Sequence, residues 1–399
     1  MTTRRLALPE FVAMMGMLFA MLAFSIDAML PAMPQIAAEL TPQATNRAQL
    51  IVVAFMFGLG AGTLVAGSLS DTFGRKPVIA AGVAIYAVAA VIAYFASSLE
   101  MMLAARILMG LGAAAPRIVP LALIRDLYEG RRMAQIVSIV MTIFLLIPAV
   151  APLVGSWIIA HAGWRAIFPA LVAFAFFGLS WLMLRQPETL PPEARSPLKL
   201  SRFTTAAKEV VSNRMVMIYA AVLTLGFTQS LALVSSIQPI YADSFDRADT
   251  FPLWFALSAV LAMSGTVLNA ALVMKLGMRR LAIGAYVYLT LLSGAFLLGM
   301  LTGALTGVMA FGAFFVWSFS VFTMGGFTFG NLNALALQPM GHIAGTAASV
   351  VGAIFSVTSA LLAIPISQAF DGTPVPLVAA TLVCSGLALL LMLRTVEHG

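Results

Sequence analysis

Charge is scarce in this chain. Lys and Arg number 22 and Asp and Glu 15 among 399 residues, so 9% are charged, against roughly a quarter in a soluble domain. That shortage excludes a cytosolic enzyme of this length, a disordered chain and a nucleic-acid binder. The net charge of +7 then reads as basic loops beside a membrane rather than a nucleic-acid surface. Cysteine is nearly absent, and Cys384 alone excludes an intramolecular disulfide and a cysteine-built metal cage. The three histidines, His161, His342 and His398, lack metal-ligand spacing. No G-x-x-x-x-G-K-S/T phosphate loop occurs, so an ion gradient rather than ATP must supply energy. No catalysis, metal or cofactor is expected.

Apolar residues are abundant, at 61%. A membrane helix needs about 20 mostly apolar residues. Twelve such runs are predicted, at 10–37, 47–70, 77–98, 101–124, 133–160, 165–184, 214–241, 252–274, 280–301, 306–334, 343–369 and 375–393. Helices are implied because an open sheet cannot satisfy its backbone in lipid, and the alternating ten-residue segments of a β-barrel are missing. The first run is too long for the core of a signal peptide.

Basic residues set the expected orientation. With the N-terminus inside, Arg4, Arg5, Arg75, Lys76, Arg125, Arg131, Arg132, Arg185, Arg195, Lys199, Arg202, Lys208, Arg214, Lys275, Arg279, Arg280 and Arg394 fall on the cytoplasmic side. Only Arg47, Arg165 and Arg247 fall opposite, which puts both termini in the cytoplasm. The longest polar stretch divides six spans from six. The expected organisation is an N-terminal six-helix bundle over 1–184, a cytoplasmic linker over 185–213, and a C-terminal six-helix bundle over 214–399. Residues 203–213 suit a short helix on the membrane surface. Two joined halves are the layout of a secondary transporter with repeats. The loops after spans 2 and 8 support duplication, since Gly74-Arg75-Lys76 aligns with Gly277-Met278-Arg279-Arg280.

The stretch Gly67-Ser-Leu-Ser-Asp71-Thr-Phe-Gly74-Arg75-Lys76-Pro77 resembles the loop 2–3 signature of the major facilitator superfamily. Read without that resemblance, it is a polar turn with a helix-packing glycine. Arg106-Ile-Leu-Met-Gly110-Leu-Gly112 in span 4 is similar to that superfamily's intramembrane arginine motif. Ile147-Pro148-Ala-Val-Ala-Pro152-Leu-Val-Gly155 in span 5 resembles its antiporter motif, although tight packing alone would also explain the small residues. With Asp27-Ala-Met-Leu-Pro31-Ala-Met-Pro34 and Gly330-Asn331-Leu-Asn333, these stretches look like the Bcr/CflA group of bacterial drug:proton antiporters. Arg117 departs from that pattern. The resemblance implies an all-α membrane protein of the major facilitator fold, with twelve helices in two pseudo-symmetric six-helix bundles. It also implies a conformational gate formed by Gly67, Asp71, Gly74, Arg75, Arg125, Pro148, Pro152 and Gly155.

Asp27, Arg106 and Arg117 are the ionisable residues clearly inside spans, where each costs at least ~2.5–3.5 kcal/mol unless paired or hydrated. Eleven residues separate the two arginines, placing them ~20° apart around a helix. Desolvation disfavours the charged form of Asp27 and a neighbouring Arg106 favours it, so the two would poise proton uptake near neutral pH. Asp27 with Arg106 is therefore the candidate proton-coupling pair, against the alternative of a structural ion pair. Arg117 would either attract an anionic substrate group or snorkel toward the cytoplasm. Asp27, Arg117, Gln229, Gln238, Asn331, Asn333, Tyr219 and Phe227 are the candidate substrate-binding residues. Tyr286 and Trp317 offer further aromatic surface.

The expected function is multidrug efflux, in which small amphipathic drugs are exchanged for protons by alternating access. The expected setting is a monomer in the lipid bilayer of a bacterial inner membrane, with no nucleic acid partner. A proton-coupled transporter of a native metabolite, such as a sugar or siderophore, is the alternative within transport. A transporter-like sensor is the alternative outside it.

Overall fold

The computed structural model describes residues 6–195 and 200–395. Arg4, Arg5, Lys199 and His398 lie outside these, as does the side chain of Arg202. The helices in chain order are α1 (Leu8–Asp27), α2 (Met33–Leu40), α3 (Leu50–Phe73), α4 (Arg75–Tyr94), α5 (Leu99–Leu127), α6 (Gly130–Ala162), α7 (Ile167–Arg185), α8 (Leu200–Ser212), α9 (Arg214–Pro239), α10 (Phe251–Leu276), α11 (Met278–Leu301), α12 (Gly307–Leu337), α13 (Ala344–Gln368) and α14 (Val375–Leu393). No strand occurs among the described residues.

Among the described residues eleven segments are long and apolar enough to cross a membrane, and one of them, Gly307–Gln368, contains both α12 and α13. Their junction is a 3-10 stretch in which Met340 leaves helical geometry. Pro339 lacks the N–H that a continuous helix would need there. The twelve expected spans are thus all present, the first made of α1 and α2 together. Large apolar side chains such as Leu184, Leu291, Val308 and Met274 are exposed, as suits a multi-pass membrane protein solvated by lipid.

Two compact units form. One holds Met1–Leu40 and Ala54–Arg202, and the other Thr41–Val53 and Phe203–Gly399. In the first, α4 packs on α5 where Gly82 and Gly112 meet. A Cβ on Gly82 would sit 2.6 Å from the Gly112 carbonyl oxygen, and Pro116 removes the N–H that would otherwise bond that carbonyl. Ion pairs staple both ends of this unit. Arg165 grips Glu39 at 2.7 and 2.8 Å, and Arg185 grips Glu10 at 2.7 and 3.0 Å. In the second unit, α9 is lined by hydroxyls and small residues and packs against α12, α13 and α14. Trp317, Phe296 and Phe314 form a mutual triangle of rings with centroids 5.7–6.4 Å apart.

Candidate functional site

Asp27 is the last residue of α1, and the chain breaks there. Pro31 and Pro34 are the cause: neither has an N–H to donate, and a proline ring clashes with the carbonyl four residues earlier. The chain instead turns through Ala28 and Met29 into a 3-10 segment, Leu30–Ala32, before α2. The predicted continuous span is therefore interrupted one residue after its only acid in the hydrocarbon. The Asp27 side chain is buried, the residue being 6% exposed. No group among the described residues hydrogen-bonds or ion-pairs with its carboxylate.

Arg106 does not make the expected pair with Asp27. Its Nη2 donates to the Ser25 carbonyl at 3.0 Å, two residues before Asp27. The guanidinium lies over the Phe55 ring at 4.5 Å from its centroid, a cation–π contact strengthened by burial. Ser25 Oγ donates to the Met21 carbonyl and lies 2.6 Å from the Tyr86 hydroxyl. Residues from α1, α3, α4 and α5 therefore converge just before the α1 break. Gly110 admits this approach, since a Cβ there would overlap the Phe55 carbonyl oxygen. Arg117 shares the face of Arg106 but not its surroundings. It is half-exposed and has no hydrogen-bond or ion-pair partner among the described residues.

The antiporter-like stretch of α6 reaches the same place. Gly155 is buried, and a Cβ there would overlap the carbonyl oxygen of Ala28, the residue after Asp27. Pro152 is buried one turn earlier and Pro148 is half-buried. Spacing alone did not reveal that this motif packs on the α1 break.

A second cluster forms at the α3–α4 turn, centred on Arg75. Its Nη1 donates to Ser70 Oγ at 2.9 Å and pairs with Asp71, and its Nε donates to Asp126 Oδ2 at 2.9 Å. Thr189 Oγ1 also donates to Asp126, at 2.8 Å. Arg125, the gate residue expected at this end of α5, is exposed, and its neighbour Asp126 is the one that reaches the cluster. That exchange follows from charge, because the buried Arg75 needs a carboxylate. Gly67 contributes its carbonyl to Ser70 Oγ at 2.8 Å. Gly74 has φ 102° and Gly277 has φ 81°, so the two aligned glycines make matching left-handed turns into α4 and α11. Glu188 was missed from sequence. Its carboxylate accepts from the backbone N–H groups of Arg75, Lys76, Thr189 and Leu190 at 2.9–3.1 Å, and so caps α4 where its dipole is positive. A lone acid 113 residues from Arg75 carries no local signal of that role.

In the second unit several candidates are engaged internally. Gln229 accepts from Ser385 Oγ at 3.0 Å and donates to the Leu225 carbonyl at 3.1 Å. Asn331 donates to Asn269 Oδ1 at 2.7 Å, joining α12 to α10. Tyr286 bonds the Val222 carbonyl and Trp317 bonds Ser293, both fully buried. These four hold helices together rather than offering free surface. Tyr219 and Gln238 are buried and Asn333 is half-buried. Phe227 meets Phe329 and Phe355 edge to face at 5.7 and 5.4 Å, an aromatic corner shared by α9, α12 and α13.

The family model for the Major Facilitator Superfamily matches residues 13–394. A bicyclomycin resistance protein homolog of Haemophilus influenzae is 29% identical over 88% of this chain and 87% of its own length. The multidrug resistance protein MdtL of Salmonella heidelberg is 31% identical over 60% of each chain. Among solved structures, the xylose transporter XylE of E. coli superposes with a TM-score of 0.74 at 14% identity, covering 98% of this chain and 100% of its own. The human organic anion transporter MFSD10 superposes with a TM-score of 0.66 at 18% identity, covering 98% of this chain and 99% of its own. These two establish likeness of fold. The relatives agree with the resemblance read from the motifs.

Proposed function

Because this chain belongs to the major facilitator superfamily, we propose that it is a multidrug efflux transporter. It exchanges small amphipathic drugs for protons by alternating access in a bacterial inner membrane, acting as a monomer with both termini in the cytoplasm. The names of its relatives, one for bicyclomycin resistance and one for multidrug resistance, support the substrate class.

The observation that carries the coupling is the Asp27 carboxylate: buried, unpaired, and set at the break of α1 between the Arg106 contact at Ser25 and the Gly155 contact at Ala28. An ionised carboxylate held in hydrocarbon is expensive, and taking up a proton removes that charge. Proton and drug compete for this site, which couples their opposite flows. Arg106, fixed on the α1 backbone, tunes the exchange. Arg117, Gln238, Asn333, Tyr219 and Phe227 are the side chains assigned to drug contact. The Asp71–Arg75–Asp126 cluster acts as a lock released once in each cycle, while Pro148, Pro152 and Gly155 let α6 flex.

The test is pH-gradient-driven drug uptake into inside-out vesicles, parent against Asp27→Asn at equal protein. The amide is less costly to bury than a carboxylate, so the variant should insert normally. It should lose accumulation against a gradient, and drug addition should no longer release protons. Undiminished proton-coupled uptake by Asp27→Asn refutes the assignment.

A further inference from the structure

Gln49 ends the 3-10 turn Thr45–Gln49 that leads into α3. It is 2% exposed. Its Oε1 accepts from Ser236 Oγ of α9 at 2.8 Å, whereas its Nε2 is buried with no hydrogen-bond partner. Both residues belong to the same compact unit. A buried donor left unpaired is destabilising, and native proteins keep few of them.

The hydroxyls of α9 show that this amide is held in place. Thr224, Thr228 and Ser235 each donate to the carbonyl four residues back, at 2.8–2.9 Å. Ser236 forgoes that local acceptor and reaches across to Gln49. Turning the amide over would pair Nε2 with Ser236 and orphan Oε1, so half of the group lacks a protein partner in either orientation. The turn itself is clasped. Asn46 Nδ2 donates to the Phe370 carbonyl at 2.6 Å, and Gln368 Nε2 donates to the Asn46 carbonyl at 2.8 Å. Gln238, two residues beyond Ser236, is also buried and makes no side-chain hydrogen bond among the described residues.

From this oriented, unpaired donor we infer that Gln49 is a substrate-binding residue whose Nε2–H donates to a neutral oxygen, a carbonyl or hydroxyl, of the transported compound. The inference rests on the efflux reading and narrows its substrates to compounds bearing such an acceptor. A side-chain amide with one arm tied to Ser236 and one arm free is suited to a single directional bond of this kind. Compounds without an acceptor gain nothing from it.

The experiment compares the parent with Gln49→Leu in reconstituted vesicles. The probes are tetraphenylphosphonium and ethidium, which carry no carbonyl or hydroxyl, and chloramphenicol and bicyclomycin, which carry several. Leucine removes the unpaired donor, and Ser236 is then free to bond the Ala232 carbonyl, so the purified variant should melt no lower than the parent. Its apparent affinity should fall about tenfold for chloramphenicol and bicyclomycin, the loss of one good hydrogen bond, and stay unchanged for the other two. An equal change for all four, no change for any, or a parent that moves only the two acceptor-free probes overturns the inference. A parent that moves none of the four refutes the efflux reading itself. If Gln49→Leu does not fold, Ser236→Ala unpins the amide and should produce the same selective loss on a smaller scale. A uniform loss in Ser236→Ala likewise overturns the assignment.

Discussion

Replacing Gly155 with alanine tests whether α6 sets the position of Asp27. The added methyl would lie inside the van der Waals envelope of the Ala28 carbonyl oxygen, which is backbone and cannot swing aside as a side-chain tip would. Either α6 retreats or the α1 break shifts. Overpacking of this kind costs ~1–3 kcal/mol, and the gain in helix propensity from glycine to alanine returns ~1 kcal/mol. The difference is a net loss of about 0–2 kcal/mol, and a clash against backbone puts it at the upper end, read as a lower melting midpoint of the purified protein. Gly178→Ala in α7 is the internal control, because its new methyl would meet Met17 Cγ at 3.6 Å, an ordinary contact. That variant should melt at or above the parent. Transport separates positioning from stability. At temperatures where Gly155→Ala remains folded, proton-driven drug uptake should fall and its dependence on pH should change, since Ala28 is bonded directly to Asp27. Parent-like melting together with parent-like uptake would refute the argument that this contact is tight and that it positions the acid.

Three further outcomes follow from the same geometry. Arg75→Ala leaves Asp71 and Asp126 without their cation, and should destabilise the protein by about 1–2 kcal/mol in thermal melts, below the fully buried case because the half-exposed Asp71 is screened by solvent. Arg75→Lys should recover only part of that loss, because an ammonium cannot bridge both carboxylates as the guanidinium fork does. Glu188→Ala uncaps α4 and should cost about 1 kcal/mol, a loss that Glu188→Gln restores only partly because the negative charge at the helix N-terminus is gone. Arg117→Ala should weaken transport of anionic compounds more than cationic ones if its guanidinium selects charge, and an equal loss in uptake assays with both classes would assign it to helix packing instead.

Reading the chain alone identified the spans well because lipid imposes a simple rule: a segment with no water to bond its backbone must be helical and apolar over its full length. The twelve runs and the two glycine turns at Gly74 and Gly277 were legible for that reason, being properties of contiguous residues. The α1 break could have been read from Pro31 and Pro34, whose missing N–H groups forbid a helix at a fixed distance upstream. What the sequence could not determine was which polar group meets which. Arg106 bonds a backbone carbonyl rather than Asp27, Asp126 rather than Arg125 joins the gate cluster, and Glu188 caps a helix more than a hundred residues earlier. Gln229 and Asn331 look like cavity residues by composition, yet their partners Ser385 and Asn269 lie 156 and 62 residues away. Each of these choices depends on helix rotation and close approach, which small residues such as Gly155 and Gly110 permit without specifying a partner. Local pattern determines that a helix forms and which of its faces is polar. Only packing decides whether a polar group on that face is satisfied within the protein or, like Asp27 and one arm of Gln49, left without a partner among the described residues.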